Sequence, residues 1–312
     1  MTRSAPPVLL VNPLPDAQTW LRLLAENDPE LTVRVWPELP QDERPDVVVG
    51  FTIRDEHRDA VRDVRLVIVP GAGVDGVLRN TTADVAVSRV VDPGQAMTMT
   101  QYVVGAVMKY VRRLDEYGRQ QRAGVWLRQP TLGPAAGRVG ILGLGTLGGQ
   151  VGQVLQSVGV EVIGWSRTHK SVPGITCHAG AEELPRFLAQ TGILVCLLPL
   201  TDATRRLLDR DFFAQLPQGA RLISVGRGEQ VVEDDLIAAL DSGQLAGATL
   251  DVCQTEPLPQ GHPLWTHPLV DLTPHIAGTL RIEDNVAEVA RQIRSFRAGG
   301  TLLSLVDRQR GY

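Results

Sequence analysis

The alternation of short apolar runs with helical patterns constrains the fold of this chain more than any other feature. The first set of runs, between Val8 and Ser88, reads VLLVN, LTVRVW, DVVVG, LVIVP and DVAVS. The second set, between Arg138 and His275, reads RVGILGL, VEVIGWS, ILVCLLP, ARLISVG, LAGATLD and LVDLTPH. Strands that alternate with helices in this way are typical of parallel sheets. We therefore predict an α/β protein with two doubly wound parallel-sheet domains.

Three further segments have recognisable patterns between and after these runs. Apolar residues recur at helical spacing from Val103 to Val111, which predicts one long helix from about Thr98 to Gly118. The stretch VVEDDLIAALDSG predicts another helix that ends before Gly243, and a final helix is expected over roughly 281–297, returning to the first domain. The irregular stretch QQRAGVWLRQPTLGPAAG is interpreted as an arm that packs on a second subunit.

Composition narrows the class of protein. The 312 residues favour roughly two domains. A net charge of −4 argues against a nucleic-acid partner. No apolar run approaches the roughly 20 residues of a membrane span, and the first apolar run is too short for a signal peptide. Cys177, Cys196 and Cys253 form no CxxC motif, so we expect free thiols, no metal site and a cytoplasmic protein.

A glycine-rich turn opens the second set of strands. Gly143, Gly145 and Gly148 have the spacing GxGxxG, directly after the strand VGIL and before a helical segment. The first glycine permits a tight turn, the second lets a pyrophosphate approach the backbone, and the third allows close packing of helix and strand. We predict that a dinucleotide binds at the helix N-terminus, contacting Gly143, Gly145, Thr146, Leu147 and Gly148. The alternative is a turn of the same shape without a ligand.

The end of the following strand predicts which dinucleotide is bound. NAD-binding proteins often place a carboxylate there for the ribose hydroxyls, but this chain has Ser166 and Arg167, followed by His169 and Lys170. A hydroxyl donor and a guanidinium suit a 2′-phosphate, which a carboxylate would repel. We therefore predict that Ser166, Arg167 and Lys170 contact NADP(H), with NAD(H) also possible. In the alternative, Arg167 is a solvated loop cation of an NAD enzyme.

Polar residues also follow the later strands, at the edge where ligands of parallel sheets bind. Arg227 follows RLISV, Asp251 follows AGATL with Glu256 nearby, and His275 follows VDLTP. This set suits carbonyl reduction, in which His275 donates a proton, Glu256 favours the imidazolium and Arg227 stabilises the oxyanion. We expect Asp251 to accept a bond from the nicotinamide carboxamide. Gly226 and Gly228 suggest that a ligand approaches Arg227 closely.

Each of these assignments has a structural alternative. His275 could be a strand-end histidine with purely structural bonds, and Glu256 could be a loop carboxylate before Pro257. The other histidines that we considered lack a comparable setting, and we interpret them as structural or surface residues: His57, His178, His262 and His267.

Several motifs occur in one order along the chain: GLGTLG, LLPLTDATRRLL, SVGRGEQVVEDDLIAAL, LDVCQTEPLP and LTPHIAG. In this order and spacing the chain resembles the D-isomer-specific 2-hydroxyacid dehydrogenases from about residue 66 to 280. Within that family it is most similar to the glyoxylate/hydroxypyruvate reductase A group. The stretches that carry this finer resemblance are WSRTHKSVPG, EPLPQGHPLWTHP and VDRQRGY.

The resemblance implies a division of labour within the chain. It implies a flavodoxin-like substrate domain, residues 1–97 plus 281–312, and an NAD(P)-binding Rossmann domain, residues 98–280, that close across a cleft. Arg227, Glu256 and His275 would form the catalytic set. Ala72, Gly73 and Val74 would bind the substrate with Arg227 and His275. Further cofactor contacts are expected at Leu198, Pro199, Val225, Gly226 and Gly278. A homodimer joined near Trp126 is also implied.

The resulting hypothesis is an NADPH-dependent reductase of small 2-keto acids, glyoxylate and hydroxypyruvate first. One alternative changes the substrate to another 2-keto acid such as 3-phosphohydroxypyruvate. Another alternative is a scaffold that binds NADP(H) and protein partners without turnover.

Overall fold

The computed structural model describes residues 5–11, 16–90, 93–279, 281–302 and 304–311. Asn12, the last residue of the first predicted strand, lies outside these ranges. The chain forms two compact units, one of Met1–Gln95 with Leu280–Tyr312 and one of Ala96–Thr279. Each unit contains its own parallel sheet.

The sheet of the first unit has the strand order β2-β1-β3-β4-β5 in the described part of the chain, and its neighbouring strands are parallel. This is the order of flavodoxin-like folds, so the predicted fold of this unit is confirmed. The strands are β1 (Val8–Leu10), β2 (Val33–Val35), β3 (Val47–Val49), β4 (Leu66–Val69) and β5 (Ala86–Arg89).

The sheet of the second unit has the order β12-β11-β10-β9-β6-β7-β8 among the described residues, and it is also parallel. The order reverses between β6 and β9, as in Rossmann folds, which confirms the predicted class. The strands are β6 (Val139–Leu142), β7 (Val162–Ser166), β8 (Thr176–Ala179), β9 (Ile193–Cys196), β10 (Ala220–Ser224), β11 (Leu245–Leu250) and β12 (Val270–Leu272).

Helices connect most of these strands. They are α1 (Ala17–Asn27), α2 (Asp75–Leu78), α3 (Pro93–Val111), α4 (Leu114–Arg122), α5 (Pro134–Gly137), α6 (Thr146–Ser157), α7 (Gly180–Leu188), α8 (Arg210–Ala214), α9 (Glu233–Asp241) and α10 (Ile282–Arg297). Short 3₁₀-helices occur at Asp55–His57, Gly228–Gln230 and Pro263–Trp265. Within the described ranges, none of the helices combines the length and the apolar character needed to cross a bilayer.

Both faces of the second sheet are buried. Ile193 and Val195 of β9 pack in one apolar cluster, whereas Leu194 and Cys196 pack in another. Side chains of a strand alternate between the faces of a sheet, so the two clusters cover opposite faces. This is the doubly wound arrangement, and it explains why the strands are almost uniformly apolar.

The final helix belongs to the first unit. Val286, Val289 and Ile293 of α10 are fully buried in the same cluster as Trp20 and Leu24 of α1. Full burial of an aliphatic side chain stabilises a fold by about 1.5–3 kcal/mol relative to exposure. The chain therefore returns to its first sheet because α10 covers one face of it.

Two expectations about elements were wrong. The predicted helix over 98–118 is two helices, because Arg113 adopts a left-handed conformation with φ 55° between α3 and α4. Neither glycine nor proline marks that break. Strand β8 was missed, because TCHA is a short edge strand whose Thr176 is exposed and whose Cys177 is only partly buried. An edge strand of this kind lacks the apolar run of a central strand.

Candidate functional site

The glycine turn after β6 has the geometry that a dinucleotide requires. Gly143 has φ 116°, in a region that side chains disfavour. A Cβ at Gly148 would lie 2.0 Å from the carbonyl oxygen of Gly143, so this glycine permits the close approach of α6 to β6. A Cβ at Gly145 would meet no atom of the described residues within 4 Å, which leaves this backbone open. Thr146 and Leu147 follow in the first turn of α6, exposed and half-buried respectively.

The turn lies at the point where the strand order reverses. β6 pairs with β7 on one side and with β9 on the other. In open parallel sheets, ligands bind beyond the carboxyl ends of the strands at such a point. The loop after β9 borders the turn, since a Cβ at Gly143 would lie 3.0 Å from the carbonyl of Leu197. Leu198 and Pro199 come next in this loop, so the structure brings these predicted contacts beside the glycine turn.

The loop after β7 presents basic side chains to solvent. Ser166 is buried and its hydroxyl donates to the carbonyl oxygen of Thr168 at 2.8 Å. Arg167, His169 and Lys170 are exposed. The predicted hydrogen bond from Ser166 to a phosphate would require its hydroxyl to leave Thr168. The exposed cations Arg167 and Lys170 are therefore the stronger candidates for an anionic ligand at this strand end.

A histidine–carboxylate pair lies at the same edge of the sheet. His275 Nδ1 and Glu256 Oε2 are 2.7 Å apart, with side chains 48% and 38% exposed. The hydrogen bond to Glu256 raises the pKa of His275, although burial opposes the shift. Burial raises the pKa of Glu256, but bonds from His275 and the Cys253 backbone outweigh it and the net pKa is lowered. The pair therefore favours an imidazolium beside a carboxylate.

The loop that carries His275 is anchored by a buried carboxylate. Asp251 is 2% exposed, and its Oδ1 accepts from Thr273 Oγ1 at 2.6 Å and from Ile276 N at 2.8 Å. Oδ2 accepts from Ala277 N at 2.8 Å. The backbone N–H of His275 in turn donates to the Asp251 carbonyl at 2.9 Å. These bonds hold His275 in a left-handed conformation with φ 55°.

This geometry bears on the expected role of Asp251. Three hydrogen bonds from its own chain occupy most of the acceptor capacity of the carboxylate, which is about four lone-pair sites. The expected bond to a nicotinamide carboxamide would be a fourth. Thr273, which also lies 2.6 Å from the hydroxyl of Tyr102, was not among the predicted site residues. A polar residue at the end of a strand, two positions before His275, was the available signal.

The glycines beside Arg227 are required by the packing of the protein's own chain. A Cβ at Gly226 would lie 2.4 Å from Gln230 Oε1, and a Cβ at Gly228 would lie 1.9 Å from the backbone of Cys253. The glycines therefore make room for the protein's own chain, and the expected approach of a ligand to Arg227 stays a prediction. Arg227 is half-buried, its guanidinium donates to Gly226 O at 2.9 Å, and its charge contributes to the lowered pKa of Glu256.

Of the remaining predicted residues, two lie in loops of the second unit and three lie in the first unit. Val225 is buried after β10, and Gly278 is half-buried after the His275 loop. Ala72, Gly73 and Val74 belong to the first unit, between β4 and α2. Ala72 and Gly73 are half-buried, and Val74 is buried.

The other histidines and the cysteines lie in settings that fit structural roles. His57 is fully buried and its Nδ1 accepts the backbone N–H of Arg54 at 3.0 Å, whereas His178 packs on Phe187. His262 and His267 accept backbone N–H groups of their own loops. The three cysteines are free thiols, as predicted, and burial raises the pKa of Cys196 to about 11. Among the described residues, no group of His, Cys, Asp and Glu is arranged to hold a metal.

Comparison with known proteins identifies the class of this site. Residues 104–277 match the family described as D-isomer specific 2-hydroxyacid dehydrogenase, NAD binding domain. A D-isomer specific 2-hydroxyacid dehydrogenase from Xanthobacter autotrophicus Py2, solved with NADPH and MES, is 37% identical. That similarity covers 99% of this chain and 100% of the other, with a TM-score of 0.88.

Two further solved structures are similar over nearly the full length. A family protein from Klebsiella pneumoniae 342 is 34% identical, covers 99% of both chains and has a TM-score of 0.88. An NADPH-dependent glyoxylate/hydroxypyruvate reductase from Sinorhizobium meliloti, solved with NADP and sulfate, is 31% identical. It covers 99% of this chain and 100% of its own, with a TM-score of 0.89.

The family match spans more than half of the chain, and the structural matches span nearly all of it. They confirm the predicted nicotinamide-dinucleotide domain and the predicted enzyme class, an NAD(P)-dependent oxidoreductase of 2-hydroxy acids. The chain belongs to the D-isomer specific 2-hydroxyacid dehydrogenase family.

Proposed function

We propose that this protein reduces small 2-keto acids with NADPH, converting glyoxylate to glycolate and hydroxypyruvate to glycerate. The observation that carries the proposal is the His275–Glu256 pair, 2.7 Å apart at the carboxyl edge of the sheet that also bears the glycine turn. A neighbour with this activity, the Sinorhizobium meliloti reductase, supports the choice of substrates.

The residues of the glycine turn fit a dinucleotide. The positive φ of Gly143 and the open space beside Gly145 leave a cradle that a side chain would fill. Arg167 and Lys170 provide positive charge where a 2′-phosphate would lie, so we propose NADP(H) as the preferred cofactor and NAD(H) as a weaker one. When bound, the reduced cofactor supplies the hydride. The S. meliloti and X. autotrophicus proteins were solved with NADP and NADPH.

The side chains of the second unit supply the rest of the chemistry. Hydride addition to the carbonyl carbon beside the carboxylate leaves negative charge on the carbonyl oxygen, and an acid must protonate it. Because Nδ1 of His275 faces Glu256, its Nε2–H is the proton that reaches the substrate oxygen. Arg227 stabilises the oxyanion and binds the keto acid. The backbone of Ala72, Gly73 and Val74 binds the substrate carboxylate.

The proposal includes the roles of the two units and the assembly. Residues 1–97 with 281–312 serve as the substrate domain, and residues 98–280 bind the cofactor. The protein is a homodimer joined near Trp126, whose side chain is 102% exposed in the single chain. A cytoplasmic location is supported by the three free cysteines, because reducing conditions keep thiols unpaired.

The first experiment follows the loss of reduced-nicotinamide absorbance with purified protein. Glyoxylate, hydroxypyruvate and 3-phosphohydroxypyruvate are compared, each with NADPH and with NADH. Fast turnover of the first two with NADPH is expected. Faster turnover of 3-phosphohydroxypyruvate would make that compound the preferred substrate. Faster turnover with NADH would make NAD(H) the preferred cofactor.

Variants of the acid and the arginine test the assigned roles. His275→Ala and Arg227→Ala should each lower kcat/KM by at least about 100-fold, whereas NADPH affinity should change little. Tight NADPH binding without turnover in the unmodified protein would instead identify a sensing scaffold.

A further inference from the structure

Gln230 is a fully buried polar side chain that the proposed chemistry does not use directly. Its Oε1 accepts the backbone N–H of Arg227 at 2.9 Å, and the thiol of Cys196 lies 3.7 Å from the same oxygen. Its Nε2 donates to the carbonyl oxygens of Leu198 at 3.0 Å and Pro199 at 3.1 Å. Every polar atom of the amide therefore has a partner.

The neighbours of this amide permit only one orientation. A rotation by 180° would place the NH₂ group against the N–H of Arg227 and the amide oxygen against two carbonyl oxygens. Both ends of the Gln230 amide would then be repelled, because its NH₂ group would face an N–H donor and its oxygen would face carbonyl acceptors. An apolar side chain at this position would remove the partner of the Arg227 N–H and of the Leu198 carbonyl oxygen, whereas the Pro199 carbonyl oxygen would keep the Thr204 hydroxyl at 2.7 Å.

The partners of Gln230 lie in two different loops. Leu198 and Pro199 follow β9, whereas Arg227 follows β10, and these strands pair in register at Cys196 and Ser224. Gln230 thus connects two loops at the carboxyl edge of the sheet, where ligands bind. The space between the loops is full, since a Cβ at Gly226 would lie 2.9 Å from the carbonyl oxygen of Leu198.

We propose that Gln230 is a positioning residue that sets the backbone of Arg227 against the Leu198–Pro199 loop. The bond to the Arg227 N–H fixes where this residue leaves the strand, and so fixes where its guanidinium can reach. Catalysis depends steeply on such placement, and a shift of about 1 Å can cost roughly 100-fold in rate. The inference rests on the proposed function, because Gln230 acts through Arg227.

The test is a double-mutant cycle with glyoxylate and NADPH. Gln230→Met keeps the length of the side chain but removes the amide, and it is made alone and with Arg227→Ala. We expect Gln230→Met alone to lower kcat/KM by roughly 10- to 100-fold and to change it little when Arg227 is already absent. NADPH affinity of the free enzyme, measured by fluorescence titration, should change much less.

Three results would overturn the proposal. A loss of kcat/KM that persists in the Arg227→Ala background would mean that Gln230 acts independently of Arg227. An equal loss of NADPH affinity would mean that Gln230 serves the cofactor loop instead. Unchanged turnover in Arg227→Ala alone is a third, distinct result, because it refutes the proposed role of Arg227 and with it the proposed action of Gln230.

Gln244 provides a matched control. Its Nε2 also donates to two backbone carbonyls, those of Phe213 and Leu216, each at 2.9 Å. It lies directly before β11, at the amino end of that strand and away from the ligand-binding edge. Gln244→Met should lower Tm but leave kcat/KM unchanged, which separates a general loss of stability from a loss of position.

Gln230→Glu keeps the test decisive if Gln230→Met does not fold or if Arg227→Ala is too slow to measure. Its carboxylate would face two carbonyl oxygens at neutral pH, whereas the protonated acid can donate to one of them. We expect the ratio of its kcat/KM to that of the unmodified enzyme to rise as the pH is lowered. A ratio that stays constant with pH would contradict the positioning role.

Discussion

At the scale of single residues, the His275–Glu256 pair controls the pH dependence of the proposed reduction. The hydrogen bond to Glu256 raises the pKa of His275, so the proton donor stays charged to a higher pH than a free histidine. The rate of keto-acid reduction should therefore fall as the pH rises through this raised pKa. In Glu256→Gln the fall should move to lower pH, and kcat/KM at neutral pH should drop by roughly tenfold or more.

The measurement is a profile of kcat/KM against pH for both proteins. Glu161→Gln is a suitable control, because Glu161 forms an ion pair with Arg138 at 2.6 Å and its side chain is 52% exposed. Its profile should match that of the unmodified enzyme. If kcat/KM of Glu256→Gln falls over the same pH range as that of the unmodified enzyme, the carboxylate does not set the pKa of the proton donor.

Arg167 is the residue on which the proposed cofactor preference depends. It is exposed in the loop after β7, with Lys170 three residues later. Arg167→Ala should raise KM for NADPH by roughly 10- to 100-fold, because a charge-assisted contact to a phosphate is lost. KM for NADH should change by less than about twofold, since NADH lacks the 2′-phosphate that Arg167 would bind.

Steady-state kinetics with each cofactor at saturating glyoxylate tests this prediction. Arg62→Ala removes an exposed arginine of the first unit and should affect neither KM. If Arg167→Ala raises KM equally for NADPH and NADH, Arg167 contributes only general positive potential and does not recognise the 2′-phosphate.

At the scale of elements, two adjacent glycines of α6 are predicted to respond in opposite directions. A Cβ at Gly148 would lie 2.0 Å from the Gly143 carbonyl, so Gly148→Ala should push α6 away from β6 and cost about 1–3 kcal/mol or more. A Cβ at Gly149 meets no described atom within 4 Å. Gly149→Ala should therefore gain about 0.5–1 kcal/mol of helix stability.

Thermal unfolding of the two variants measures this difference. Tm should fall for Gly148→Ala and should stay the same or rise for Gly149→Ala. NADPH affinity should fall with the first change only, because the displaced helix carries the N–H groups of the dinucleotide site. A Gly148→Ala variant with unchanged Tm would show that α6 does not need its close approach to β6.

At the scale of the whole molecule, the segment after α4 exposes an unusual amount of apolar surface. Trp126 is 102% exposed, and its neighbours Val125 and Leu127 are also exposed. A fully solvated tryptophan beside other apolar side chains is typical of a surface that a partner covers. Trp126→Ala should weaken the proposed homodimer by about 2 kcal/mol, or roughly 30-fold in Kd.

Sedimentation velocity over a range of protein concentrations tests this assembly. Trp265→Ala is the control, because Trp265 is also exposed, at 56%, but lies in a different loop. The dimer should persist in that variant. A protein that is monomeric at micromolar concentration without any substitution would contradict the proposed homodimer.

The sequence by itself determined the two sheets, the glycine turn and the set of strand-end residues. Apolar runs indicate that a strand is buried on both faces of its sheet. The glycine spacing indicates a backbone turn that involves only neighbouring residues, Gly143, Gly145 and Gly148. Local patterns of this kind are readable because each depends on a few neighbouring residues. His275 and Glu256 were predicted together because strand ends of a parallel sheet meet at one edge.

Only the tertiary structure decided which groups those residues contact. The NH₂ group of Gln230 finds its two acceptors in a loop that precedes it by about thirty residues, and Asp251 finds Thr273, Ile276 and Ala277 beyond the next strand. Buried polar atoms must find hydrogen-bond partners wherever the folded chain brings them, and those partners come from distant segments that no local pattern specifies.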